Sequence, residues 1–134
     1  MKLTTAKVIG DILLAMRINR IADKEAKAAI TKDLLAIRKA VKEADADRDE
    51  LARKFREDWA DEFDKPDKSD AFRKAEAEAK ESIFELYDKE ADIVLRAPVK
   101  AELLYEPELW GENDTLGQIA NSVDFLVENG IAEE

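Results

Sequence analysis

The chain has 134 residues, no cysteine and no histidine, and a formal net charge of -10 from 22 Lys+Arg and 32 Asp+Glu. Without thiols or imidazoles it cannot form a disulfide scaffold, a Cys- or His-ligated metal site, a thiol nucleophile or a Ser-His-Asp triad. The negative charge disfavours nucleic acid and anionic membranes as main partners. The length suits one domain with a core of its own.

The N-terminal segment predicts an amphipathic helix. Thr4 is the expected N-cap. Lys7 and Asp11 interrupt any apolar signal region, and the longest apolar run, residues 12–16, is far shorter than the ~20 residues of a membrane span. We therefore expect a soluble, intracellular protein. The apolar positions recur at helical spacing: Val8, Ile9, Ile12, Leu13 and Met16.

A second, much longer helix is predicted at about residues 24–63. Asp23 is the expected N-cap, and neither glycine nor proline interrupts the segment. A helix of this length would extend about 60 Å, more than a compact domain needs, so part of it should protrude or pair. Apolar or small residues form a heptad seam along it: Ile30, Leu34, Ile37, Val41, Ala44, Leu51 and Phe55.

A turn at residues 64–69 separates this helix from a third one, at about residues 70–90. Pro66 disfavours helix at Lys65, and Ser69 or Asp70 can cap the third helix. The reversal predicts a long antiparallel helical hairpin whose tip, around residues 55–75, protrudes from a single domain spanning residues 1–134. The seam of the third helix contains Phe72, Ala75, Ala79, Ile83 and Leu86.

The remaining segments predict a strand and a final helix. Residues 92–99 are apolar and β-branched and contain Pro98, which favours a short extended or β segment. Asn113 or Asp114 should cap a helix over about residues 115–128, with Gly130 after its end. We expect a mainly α fold in which the N- and C-terminal helices pack at the base of the hairpin.

The charge is unevenly distributed along the chain. Residues 1–41 hold nine Lys+Arg and four Asp+Glu, residues 42–100 hold 13 and 19, and residues 101–134 hold none and nine. Docking of the acidic C-terminal third on the basic N-terminal helices would bring opposite charges together. Plain solvation of both segments is the alternative.

Two groups of carboxylates resemble the ligands of known metal sites. Residues 45–49 imitate the start of a calcium loop, but Glu50 replaces the required glycine and Arg56 replaces the final glutamate. Neither a phosphate-binding loop nor a cluster of basic and aromatic residues is present.

All-α nucleotide pyrophosphatases hold magnesium with E-x-x-E and E-x-x-D pairs on neighbouring helices. Glu78 with Glu81, and Glu85 with Asp88, match those pairs, but all four lie on one helix. Ordinary surface ion pairing explains them equally well. A magnesium-dependent pyrophosphatase-like enzyme therefore remains an alternative function.

Aromatic residues that flank the hairpin tip or lie off the Ile83/Leu86 seam suggest an interface. They lie at the hairpin tip or on the outer part of the third helix, and they either close the hairpin locally or contact another chain. The candidate interface residues are Trp59, Phe63, Phe72, Phe84 and Tyr87.

The order of elements resembles a family of short uncharacterised proteins of tailed phages and prophages. The resemblance is carried by residues 30–34 with Ile37, by residues 92–95 with Pro98 and Val99, and by residues 116–127. It implies a phage or prophage accessory protein. The family has no established function, so no residue roles follow from it.

Together these features predict a non-enzymatic protein-protein interaction or assembly protein, phage-derived and homo-oligomeric through its long helices. No catalytic residue, cofactor or metal is expected, and the partner is a second copy or another phage protein. A phage assembly chaperone is a further alternative. The expected location is the host cytoplasm or the virion.

Overall fold

Helices hold 69% of the residues in the computed structural model, which describes the whole chain. Short 3-10 turns lie at Ile18–Arg20, Ala101–Leu104 and Pro107–Leu109. The mainly helical fold and the long second helix, 35 residues, are confirmed. The elements are α1 (Leu3–Ala15), α2 (Lys24–Asp58), α3 (Ala60–Phe63), α4 (Asp70–Tyr87), β1 (Val99–Lys100), α5 (Leu116–Glu128) and β2 (Ala132–Glu133).

The long helix begins where predicted and ends earlier. The Asp23 carboxylate accepts a 2.9 Å hydrogen bond from the Ala26 N–H, which confirms the N-cap. At Trp59 the backbone leaves the helical region, with φ -121° and ψ 25°, and a separate short helix follows. The predicted helix over residues 24–63 is thus divided, although no glycine or proline marks the break.

The third predicted helix ends at Tyr87 rather than near residue 90. Ser69 caps it through a 3.1 Å hydrogen bond from the Phe72 N–H to the Ser69 hydroxyl. The residues beyond Tyr87 leave the helix because they pair with the N-terminus. The Leu3 N–H donates to the Lys89 carbonyl at 2.9 Å, and the Ala91 N–H donates to the Met1 carbonyl at 2.8 Å.

The same pairing corrects the predicted start of α1. Lys2, not Thr4, is the N-cap, because the bridge between Lys2 and Glu90 keeps Lys2 extended and leaves Leu3 free to start the helix. At the other end of the chain, Thr115 caps α5 in a reciprocal arrangement with Gln118. The Asp114 carboxylate instead accepts a hydrogen bond from the Gly111 N–H, at 2.8 Å.

The segment predicted as extended over residues 92–99 forms a strand only at its end. Val99 pairs with Ala132, and Lys100 with Glu133, in a parallel two-stranded sheet. Residues 92–97 have no strand partner, so their β-forming composition produces no ladder. Gly130 has φ +79° just beyond α5, as predicted, and the turn there brings β2 beside β1.

The core lies at one end of the molecule. It is built from α1, the first part of α2, residues 99–110 and α5. Trp110 is buried with its indole N–H donating to the Leu104 carbonyl at 2.8 Å. The acidic C-terminal third does pack on α1, but through apolar side chains, since no ion pair joins residues 1–41 to residues 101–134.

Beyond Ala44 this core stops, and α2 continues beside α4. We call residues 45–87 the arm. Only Phe72 is buried between Asp45 and Leu86. The Phe72 ring lies 5.5 Å from the Phe55 and Phe63 rings and 5.8 Å from Trp59. These four rings form the aromatic cluster of the arm, which joins the end of α2 to α3 and α4.

Phe72→Ala should therefore destabilise the arm strongly. Phe72 is 2% exposed, and truncation of a buried phenylalanine costs about 3–5 kcal/mol. Urea unfolding followed by far-ultraviolet circular dichroism measures the loss. The matched control is Phe84→Ala on the same helix, where the ring is 61% exposed and the change should stay within about 0.5 kcal/mol. Equal effects of the two variants would contradict the aromatic cluster as the anchor of the arm.

Candidate functional site

The five aromatic residues predicted as an interface do not form one surface. Phe72 and Tyr87 are buried inside the chain, which removes them from any exposed contact surface. Trp59 is half-buried in the aromatic cluster, whereas Phe63 and Phe84 are exposed. The ring contacts agree with the first alternative, local closure of the tip.

The seam of the arm is a second, only partly covered apolar surface. The α2 and α4 helices cover each other on their inner faces, and of the seam side chains Ile83 and Leu86 also pack against the core. The seam side chains are neither buried nor fully exposed: Leu51, Phe55, Ala75, Ala79, Ile83 and Leu86. A half-buried apolar seam of this kind is the surface that a further helix covers in a helical bundle.

Apart from Asp45, which pairs with Lys7 of α1, the charges of the arm pair with near neighbours in the sequence rather than between α2 and α4. Arg53 bonds to Glu50 and, at 2.6 Å, to Glu57, and Lys80 lies 3.6 Å from Glu76. The arm holds 15 Asp+Glu and nine Lys+Arg. It therefore presents an apolar seam between two faces with excess negative charge.

A polar network anchors the base of the arm. The Tyr87 hydroxyl donates to Asp45, and the Lys7 ammonium lies 2.9 Å from the same carboxylate. Arg48 lies 3.5 Å from it, and the Lys7 ammonium is 5.1 Å from the centre of the Tyr87 ring. The network joins α1, α2 and α4 where the core ends.

These contacts lower the pKa of Asp45 and raise the pKa of Tyr87. Partial burial acts to raise the pKa of Asp45, but hydrogen bonds from Tyr87 and Lys7 and the charges of Lys7 and Arg48 outweigh it, so this pKa lies below its ordinary value. Burial and the hydrogen bond to Asp45 raise the pKa of Tyr87 to about 12. At neutral pH the network therefore consists of an ionised carboxylate and a protonated phenol.

Asp33 is the one buried charged residue, at 1% exposure. One of its oxygens accepts the Arg96 N–H at 2.8 Å, and the other has no partner. Burial raises the pKa of Asp33, although the hydrogen bond from the Arg96 N–H and the charge of Arg96 oppose that shift. The contact fastens residues 92–98, which have no strand partner, to α2.

Sequence reasoning missed Asp33, but a signal for it exists. Asp33 follows Ile30 by three residues and precedes Ile37 by four, so it lies on the buried stripe of α2. The predicted seam passed through Leu34, which is half-buried. A carboxylate at a stripe position indicates a backbone donor nearby.

The carboxylates considered as metal ligands do not form a cluster. No three acidic side chains lie close enough together to hold a metal ion. Asp88 pairs with Lys2 at 2.7 Å, and Glu78, Glu81 and Glu85 are exposed along α4. The calcium-like stretch lies inside α2, where Asp45 and Asp49 pair with Arg48.

Membrane-spanning character and three comparisons with known proteins bear on identity. None of the helices has the length and apolar character needed to cross a bilayer. No protein-family model matches the chain, and neither a curated protein nor a solved structure shows significant similarity to it.

Asp33 should make the protein less stable as the pH rises. Its folded pKa is raised above the ordinary 3.8, so its contribution is most favourable below that pH and is lost as the pH rises through the folded pKa. The Asp33→Asn substitution keeps an acceptor for the Arg96 N–H and removes the titration. Urea unfolding from about pH 4 to 7 should show this variant gaining stability relative to the wild type as the pH rises. A difference independent of pH would contradict a raised pKa.

Asp45 should make the protein more stable as the pH rises. Its folded pKa is lowered, so its stabilisation is present above pH 3.8 and is lost as the pH falls through the folded pKa. Asp45→Asn should cost about 1–3 kcal/mol at pH 7, and the cost should shrink in acid. Asp47→Asn, at an exposed neighbouring position without an ion pair, is the control. A constant cost between about pH 7 and pH 2 would argue against the network.

Proposed function

We propose that the protein is a non-enzymatic interaction or assembly protein that self-associates through its arm. The observation that carries this proposal is the half-buried seam, since residues 45–86 contain only one buried side chain. An apolar seam that its own chain leaves open favours association with another helical surface.

In this proposal the arm is an antiparallel helical hairpin. Two contacts support that arrangement, because Asp45 meets Tyr87 near the base and Phe55 meets Phe72 near the reversal. Residue numbers thus rise on α2 while they fall on α4. The tip then projects away from the core, whose α2 residues end at Ala44.

A second copy would complete the bundle. Two hairpins packed seam to seam give a four-helix arrangement, in which each half-buried side chain gains a covering layer. Fully burying a large apolar side chain contributes about 1.5–3 kcal/mol, and each large seam residue still has part of that to gain. The excess negative charge of each arm opposes the contact, so association should strengthen as salt screens it.

The biological setting is also a proposal. The resemblance to short tailed-phage and prophage proteins favours an accessory role in assembly, in the host cytoplasm or the virion. A chaperone for another phage protein would use the same seam with a different helix. The proposal of no enzymatic activity draws support from the ordinary ion pairs that engage several of the carboxylates.

Light scattering with size-exclusion chromatography tests the arm contact. The wild type should elute as a dimer or larger species at high concentration and shift further toward it at about 0.5 M salt. At that salt, Leu51→Glu with Ile83→Glu should give a monomer, because two charges then occupy the seam. Leu35→Glu changes an equally large but exposed side chain outside the arm and should leave the arm contact intact.

A wild type that stays monomeric at every concentration and salt would overturn the proposal. Circular dichroism of the seam variant should retain the helical signal of the wild type. The salt response of the wild type needs no substitution, so it remains a test even if the seam variant unfolds.

A further inference from the structure

The exposed side of α1 is an apolar ridge between two grooves. The exposed residues of α1 are Val8, Asp11, Leu14 and Ala15, which fall on one helix face. Val8 is 46% and Leu14 56% exposed. Three of the four ridge residues are apolar, although a helix face directed at water normally carries polar residues.

The two grooves carry opposite charge. On the α2 side, a groove of about 700 Å³ is lined by Leu14 together with Arg38, Lys39 and Lys42. None of these three cations takes part in an ion pair. The acidic residues that share this groove with them on α2, Asp45 and Asp49, are already paired with Arg48.

On the α5 side, a groove of about 270 Å³ is lined by Val8, Ile12 and Ile119, with Asp114 at its rim. Exposed Glu112 lies two residues before Asp114, and neither carboxylate takes part in an ion pair. Residues 101–134 hold nine acidic residues and no basic one. The surface thus runs from unpaired cations, across an apolar ridge, to unpaired carboxylates.

We propose that this α1 surface binds a second copy of the chain about a two-fold axis. Rotation by 180° lays the basic groove of one copy against the acidic groove of the other, twice, with the two ridges in contact between them. Such a self-complementary patch is what a two-fold interface requires. Asp11, the one charge on the ridge, has no ion-pair partner in its own chain, and the cations of the second copy supply one.

This contact is separate from the arm contact and has the opposite salt dependence. Salt screens the attraction between the basic groove of one copy and the acidic groove of the other, so it weakens the α1 contact. Salt also screens the repulsion between the two negatively charged arms, so it strengthens the arm contact. The residues substituted to test the two contacts are different, although the groove on the α2 side borders the arm at Asp45 and Asp49. Failure of one therefore leaves the other measurable.

Charge reversal tests the α1 contact, in the background of the Leu51→Glu, Ile83→Glu chain to remove the arm contact. Sedimentation equilibrium should show a dimer at about 50 mM salt that dissociates at about 0.5 M. Arg38→Glu with Lys39→Glu should weaken it about tenfold or more. Glu112→Lys with Asp114→Asn should do the same while keeping an acceptor for the Gly111 N–H. Lys65→Glu with Arg73→Glu, at the tip, is the control and should change nothing.

The decisive variant combines both reversals in one chain. The signs of the two rims are then exchanged, although each rim carries less charge than before, so the dimer should be tighter than with either pair of substitutions alone. A combined variant that stays monomeric, or single reversals without effect, would overturn the proposal. So would a dimer insensitive to salt, which would indicate an apolar contact elsewhere on the molecule. Repeating the low-salt measurement in the wild-type background gives the same test if the seam variant fails to fold.

Discussion

The rest of the structure depends on one mismatch: α2 is longer than the core it packs against. Its buried stripe runs from Ala26 to Ala44 and is covered by α1 and the C-terminal elements. The helix then continues to Asp58, where α4 and the short α3 lie beside it. Burying apolar surface is the main source of folding free energy, and an arm that buries only Phe72 beyond its base obtains little of it. Such an arm depends on its aromatic cluster, on its base network and on whatever covers its seam.

The molecule also separates its charges in an unusual way. Opposite charges at the two ends of the sequence lie on neighbouring elements, yet no ion pair joins residues 1–41 to residues 101–134. Apolar packing holds the two ends of the chain together, and most of their charges remain in solvent. This arrangement leaves a basic face and an acidic face on either side of α1. In the two proposed contacts, apolar burial would drive the association of the arms and charge complementarity the association of the α1 surfaces.

The helices could largely be predicted from the sequence, because their signals are local. Asp23 and Gly130 occupy the predicted end positions, and a heptad pattern with no glycine or proline predicts a long α2. The predictions that were wrong concern features that depend on contacts between segments distant in the sequence. Lys2 replaces Thr4 as the N-cap because a distant segment pairs with it, and residues 92–97 form no strand because no partner lies beside them. The division at Trp59 is marked by neither glycine nor proline, so the local sequence does not predict it.

The candidate site was predicted less well, for a physical reason. An aromatic residue off a heptad seam can lie in solvent or under a neighbouring helix, and periodicity alone does not separate the two. Phe72 and Tyr87 prove to be buried, while the seam residues themselves are the half-open ones. The central claim is that a second copy of the chain covers this seam in solution. Amide hydrogen exchange over residues 45–87, at low and high protein concentration, tests it most directly. At about 0.5 M salt, where the α1 contact is dissociated, the account predicts slower exchange in the arm at high protein concentration with the core unchanged; an arm whose exchange does not depend on protein concentration would contradict it.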